Sequence, residues 1–240
     1  KSFGLVSNVA LFPQGAPPGI APRSPRPLTP GEAPLIGCYG FFLPNKGIGQ
    51  LIESVAILRR RWPGARLRLV NAEYDAPESA AEIAACRAVA QACGLDAVEW
   101  VTDFLPQERS LALLSECDVV ALPYRASTEA SSAALRTALG GGAPVMVTPL
   151  ALFDEAGDAC ARCGGTDAAA IADGLDGLLA DRARRVQTQA AAQQWLADRA
   201  WSLIARRMQG MLLGLAAPAG DAGRVDLGPA FTEAPAERPV

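Results

Sequence analysis

The chain has 240 residues, half of them hydrophobic and a fifth charged, with a net charge of −3 and no histidine. That length holds one well-buried α/β domain with appendages, and the mild acidity argues against a nucleic-acid partner. The lack of histidine removes a serine–histidine triad and the commonest metal ligand, and no apolar run approaches the ~20 residues of a membrane span.

No signal peptide is read at the start, and a chain beginning at Lys1 is expected to be a piece of something longer. Residues 1–34 form a first segment. Gly4–Pro13 reads as a short strand, while Gly15–Pro34 carries seven prolines and reads as an extended linker or a wrapped surface segment. From Leu35 an alternation of strands and helices begins and is expected to fill one domain over 35–215. Leu35–Phe42 is strand-like. Lys46–Arg61 is an amphipathic helix with Ile48, Leu51, Ile52, Val55 and Leu58 at helical spacing, broken by Trp62-Pro63-Gly64. Arg66–Asn71 is a strand, Pro77–Cys93 a helix, Ala97–Val101 a strand and Pro106–Glu116 a helix. Asp118–Pro123 is a buried strand followed by a polar loop. A helix is expected from Glu129, capped by Ser127 or Thr128 and stopped by Gly140-Gly141-Gly142. Pro144–Thr148 is the fifth strand. A short strand near Ala159–Arg162, a helix over Asp167–Asp181 and continuous helix over Arg182–Leu213 complete the domain, the last with an apolar stripe of Trp195, Trp201, Ile204, Met208 and Leu212. Ala216–Val240 reads as a tail or linker.

This rhythm predicts an α/β fold with a doubly wound parallel sheet in 3-2-1-4-5 order. The first and fourth strands are then neighbours at the topological switch point, and the loops Phe41–Gly47 and Tyr124–Ser132 face each other across the crevice where such folds bind ligands. A strand feeding a helix with small first residues (Ser131, Ser132, Ala133) suits an anion. Lys46 is either a solvated lysine or the cation that reaches this anion. Glu129 is either a first-turn glutamate favoured by the helix dipole or a functional carboxylate facing Lys46. Arg136 either adds positive charge to the pocket or pairs with a carboxylate. Asp103 and Glu108 are rim residues or, preferably, a capping pair. The six cysteines are mostly embedded in core elements; Cys160-x-x-Cys163 lacks a second pair, so no metal is expected. Reduced thiols point to the cytoplasm, with peripheral membrane association left open.

The stretches GFFLPNKGIGQLIESVAILRRRWPGARLRLV and VEWVTDFLPQERSLALLSECDVVALPYRASTEASSAALRTALGGGAPVMVT resemble the donor-binding half of the retaining "group 1" glycosyltransferases, which have the GT-B fold. The resemblance covers Leu35 to Leu213. It implies a bacterial-type sugar transferase with no cofactor beyond a nucleoside diphosphate sugar as donor substrate. In that family the lysine, here Lys46, and the amides at the helix start bind the diphosphate, the first glutamate, here Glu129, contacts the sugar, and backbone near Thr102–Leu105 holds the base. Lys46 and Glu129 are thus the implied catalytic pair. Gly40, Phe41, Asn45, Ser131, Ser132, Ala133, Arg136, Thr137, Asp103, Phe104 and Leu105 complete the implied donor site. Two positions depart from the pattern: the family's arginine is Phe41 here, and its second glutamate, which grips the ribose, is Thr137. The resemblance further implies a missing N-terminal domain that binds the acceptor. The rival readings are a degenerate binding or scaffolding module that keeps the fold without the chemistry, and a lower-ranked sugar-nucleotide epimerase.

Overall fold

The computed structural model describes residues 12–96, 98–129 and 131–216. Residues 17–197 form one compact unit built on a six-stranded, all-parallel sheet. Its strands are β1 (Leu35–Phe41), β2 (Arg66–Ala72), β3 (Val98–Val101), β4 (Val119–Leu122), β5 (Val145–Val147) and β6 (Ala161–Arg162), in the order β3-β2-β1-β4-β5-β6. The chain runs outward from β1 to β3 and returns to place β4 beside β1, with Ile36 opposite Val119 and Cys38 opposite Ala121. The expected order is therefore present, extended by β6.

Helices α1 (Ile48–Leu58), α2 (Pro77–Ala92), α3 (Gln107–Ser115), α4 (Ala133–Gly140), α5 (Ala168–Ala180) and α6 (Arg182–Asp198) connect and cover the strands. Helix α1 forms because its apolar residues recur at helical spacing: Ile48, Leu51, Ile52 and Val55 have no exposed surface and Leu58 has 3%. Against α1 packs α5. Trp62, fully buried just past α1, donates its indole N–H to Asp176 of α5 at 2.8 Å, and Arg61 pairs with the same carboxylate at 2.6 Å. Burying each such aliphatic side chain contributes about 1.5–3 kcal/mol, which is why this layer holds the sheet in register.

Residues 17–34 run without regular secondary structure along the starts of the central strands. The Ile20 N–H donates to the Gly140 carbonyl (2.9 Å), Arg26 forks onto both oxygens of Asp118 (2.7 and 2.8 Å), and Gln189 of α6 donates to the Arg23 and Gly142 carbonyls (2.8 and 2.6 Å). The other unit comprises residues 1–16 and 198–240. Within its described part Ala16 forms a bridge with Ala200, and α7 (Trp201–Ala216) follows. The continuous helix expected over 182–213 is thus broken at 199–200, so that Trp195 stands on α6 and Trp201, Ile204, Met208 and Leu212 stand on α7. Trp195 and Ile204 are buried, whereas Trp201, Met208 and Leu212 are exposed. A 3-10 stretch, Ala151–Ala159, precedes β6 and was not legible in the sequence. The expected strand at Gly4–Pro13 falls, except for its last two residues, outside the described residues, as does nearly all of the tail over 216–240.

Candidate active site

Where β1 ends, the chain turns under two glycines with positive φ. Gly40 (φ 144°) lets the backbone pass beside Asn71 and Ala134, and Gly47 (φ 68°) starts α1. A Cβ at Gly47 would collide with the Pro123 carbonyl oxygen, so glycine is what allows the β1 and β4 loops to meet. A hydrogen bond from the Arg125 N–H to the Asn45 carbonyl (3.0 Å) joins them. Between these glycines a 3-10 turn, Pro44–Lys46, carries Lys46 into the crevice, where it is only 8% exposed. Its Nζ lies 3.1 Å from Oε1 of Glu129 and 4.1 Å from the centre of the Tyr124 ring. A buried ammonium is costly unless paired, and here a carboxylate and an aromatic face compensate it together.

Tyr124 follows directly on β4 and Pro123 and is 2% exposed. Thr148 donates to its carbonyl at 2.7 Å, its ring packs edge-on against Phe153, and its hydroxyl lies 3.4 Å from Ser132 Oγ. Burial pushes the Tyr124 phenol up, while Lys46 and Ser132 pull it down. Glu129 lies on the loop rather than in a helix: α4 begins at Ala133, and its cap is Ser132, whose Oγ accepts from the Leu135 N–H at 3.2 Å. The expected caps are displaced, and Ser127 instead accepts from the Glu129 N–H at 3.0 Å, shaping the loop. Glu129 therefore owes its position to the loop and to Lys46, not to a helix dipole.

These loops enclose a cavity of about 300 Å³ at the carboxyl ends of β1, β2 and β4. Of the residues singled out from the sequence, Gly40, Phe41, Lys46, Asp103, Phe104, Leu105, Glu129, Ser132, Ala133 and Thr137 line it. Asn45 and Ser131 do not. Neither does Arg136, which needs correction: it is 2% exposed, donates to the Ser132 carbonyl (2.9 Å) and to both oxygens of Glu155 (2.9 and 3.1 Å), and faces Trp195. Its charge braces α4 from behind instead of serving the cavity. Asp103 stands in the cavity wall, and α3 is preceded by Pro106 with no side-chain cap, so a capping pair with Glu108 does not form. Sequence reasoning passed over Tyr124 as a turn residue, although an aromatic directly after a buried strand was the available signal. It also gave no notice of Ser110, Val70 and Ala72, which line the cavity floor. At the mouth, the Phe41 ring stacks on Phe104 (6.0 Å, 10°) and meets Tyr74 edge-on (5.2 Å). Phe104 is 78% exposed. Among the described residues no group of three or more histidine, cysteine, aspartate or glutamate side chains could hold a metal ion.

The family model of the glycosyl transferases group 1 matches residues 33–181, which spans the whole sheet and both loops. The chain belongs to the group 1 glycosyltransferases. A curated relative, the GDP-mannose-dependent α-(1-6)-phosphatidylinositol monomannoside mannosyltransferase of Mycobacterium tuberculosis, is 29% identical over 209 residues, covering 77% of this chain and 48% of its own length. The chain thus spans about half the length of the curated relatives it matches. Among solved structures, Anabaena HepE in complex with UDP and glucose superposes with a TM-score of 0.65 at 18% identity, over 75% of this chain and 48% of that one. The C-terminal domain of a group 1 glycosyl transferase family protein from Francisella tularensis superposes with a TM-score of 0.59 at 16% identity, over 71% of this chain and 87% of that one.

Within this group 1 domain Phe41 and Thr137, the two positions that the resemblance set apart, line the same cavity. Phe41 supplies an aromatic wall to it. Thr137 lies one turn inside α4, its hydroxyl 3.5 Å from the Ala133 carbonyl.

Proposed function

We propose that this chain is the donor-binding domain of a retaining glycosyltransferase that transfers a hexose from a nucleoside diphosphate sugar. The observation that carries the reading is the convergence of Lys46 and Glu129, 3.1 Å apart, within a cavity at the switch point of the sheet. In this account the diphosphate takes over the Lys46 ammonium, which neutralises charge as it builds on the leaving phosphate, the type of stabilisation that lowers a barrier most. Glu129, released from the lysine, accepts a hydroxyl of the sugar. Asp103, Phe104 and Leu105 border the base, and the Phe41–Phe104 pair offers it a face. The GDP-mannose dependence of the mycobacterial relative and the UDP and glucose held by the Anabaena structure support a sugar nucleotide as donor. The chain spans about half of those proteins, which supports a second, acceptor-binding domain outside these 240 residues, without which transfer does not occur. The free thiols suit the cytoplasm.

The charge of the cavity favours a second reading, a binding module that has lost catalysis. Among the described residues Lys46 is the one cationic side chain in its wall, set against Glu129 and Asp103. Titrating GDP-, UDP- and ADP-sugars by calorimetry, and following release of the diphosphate in the presence of the complete parent protein, separates these readings. Binding with turnover supports the transferase, binding without turnover the module, and no binding by any member of the panel overturns both.

A further inference from the structure

At the opposite end of the sheet from the donor cavity, a second cavity of about 110 Å³ lies beside the amino ends of β4 and β5. Asp118 and Pro144, which immediately precede those strands, line it, as do Arg23, Arg26 and Arg185. Arg185, on the second turn of α6, is 1% exposed. Its Nη2 donates to the Arg26 carbonyl at 3.1 Å, but Nε and Nη1 are buried without an acceptor. The two carboxylates that line the cavity are engaged elsewhere: the oxygens of Asp118 are taken by Arg26 (2.7 and 2.8 Å) and by the Leu35 N–H (2.9 Å), and Glu116 pairs with Arg68 (2.6 Å). Arg182, one turn back, donates to the Pro25 carbonyl at 2.8 Å and adds a further positive charge. Burial, with Arg26 and Arg182 adding to it, holds the Arg185 pKa below the ordinary guanidinium value, against an opposing pull from Asp118 and Asp181.

A buried guanidinium with unpaired N–H groups among other arginines is under strong pressure to take an anion, because unmet charged donors cost more than neutral ones. Guanidinium donors match tetrahedral oxyanions in charge and geometry. The volume is far below the ~300–1,000 Å³ of small-molecule sites, which excludes a nucleotide. We propose that this cavity binds a small free oxyanion of the phosphate class, held by Arg185 and Arg23, which fastens residues 17–34 to α6 and the start of β4. The site is separate from the donor cavity and does not depend on the transferase reading.

The test is a titration of the full-length protein with inorganic phosphate, followed by NMR through the Nε–H resonance of Arg185. A saturable shift that persists in Lys46→Ala, and that needs several-fold more phosphate in Arg23→Ala, is the expected result. Arg23 is exposed, so its loss leaves the fold intact. No saturable shift, or one abolished by Lys46→Ala, overturns the proposal. A shift caused by phosphatidylcholine vesicles containing phosphatidic acid, but not by inorganic phosphate, overturns it equally, since the ligand is then a lipid headgroup.

Discussion

Lys46 and Glu129 hold each other across the cavity, 3.1 Å apart. A diphosphate must displace the carboxylate to reach the ammonium. Replacing Glu129 by Gln removes the competing charge, so a bare nucleoside diphosphate is expected to bind several-fold more tightly, whereas the sugar nucleotide loses whatever advantage its sugar gave. Calorimetry with GDP and GDP-mannose, or with UDP and UDP-glucose, reads both; weaker binding of the bare diphosphate contradicts the account. Gly47 is the second sensitive residue. Gly47→Ala places a side chain at φ 68° and against the Pro123 carbonyl. The left-handed backbone alone costs about 1–2 kcal/mol, and the collision adds to it, so denaturant unfolding should show a loss beyond that range. How much of the site is legible in the sequence depends on how local each residue's reason is. That Lys46 and Glu129 face each other was legible because both follow central strands that meet at the switch point, although each was expected to open a helix and stands instead in a turn or loop. Arg136 was left open between the pocket and a carboxylate because its partner Glu155 lies 19 residues on, in a stretch whose course no local pattern fixes. Tyr124 escaped notice because its role comes from Lys46 lying over its ring, a contact between residues 78 positions apart (124 − 46).

Among the elements, α1 and α4 make a useful contrast. Helix α1 was legible to within two or three residues at each end, since its five buried apolar positions repeat at helical spacing and Trp62-Pro63-Gly64 follows it. Ile52→Ala leaves a hole in a fully buried layer and is expected to cost about 2–5 kcal/mol in chemical denaturation. The start of α4 was read four residues early, because Glu129, Ala130 and the serines around them carry no pattern that decides between loop and helix. The deciding feature is the Ser132 hydroxyl on the Leu135 N–H. Ser132→Ala should therefore cost about 1 kcal/mol of stability and, by loosening the first turn of α4, weaken donor binding as well. Intact stability with intact binding would show that the cap does neither.

For the whole molecule, the sheet order followed from strand spacing and the handedness of βαβ crossovers, and the six-stranded arrangement of the group 1 domain carries it one strand further. That extra pairing, together with the course of residues 17–34, was not readable because both rest on long-range hydrogen bonds rather than on any local pattern. The fold also sets the reactivity of the thiols. Cys93 is exposed, while the other five cysteines are buried, and burial pushes Cys38, Cys86, Cys117 and Cys160 up to about 12. A buried thiol that stays protonated at pH 8 is a poor nucleophile. Ellman's reagent should thus modify one cysteine rapidly in the native protein and all six after unfolding; rapid reaction of several would mean that the core opens readily.

If the ammonium at the β1 exit grips the diphosphate of a sugar nucleotide, calorimetric titration of the preferred donor into wild type and Lys46→Ala must tell the two proteins apart. Loss of a charge-assisted contact in a shielded cavity should weaken binding by about ten- to a hundredfold, with the variant folded as judged by its unfolding midpoint. Equal affinity in the two proteins would contradict the account.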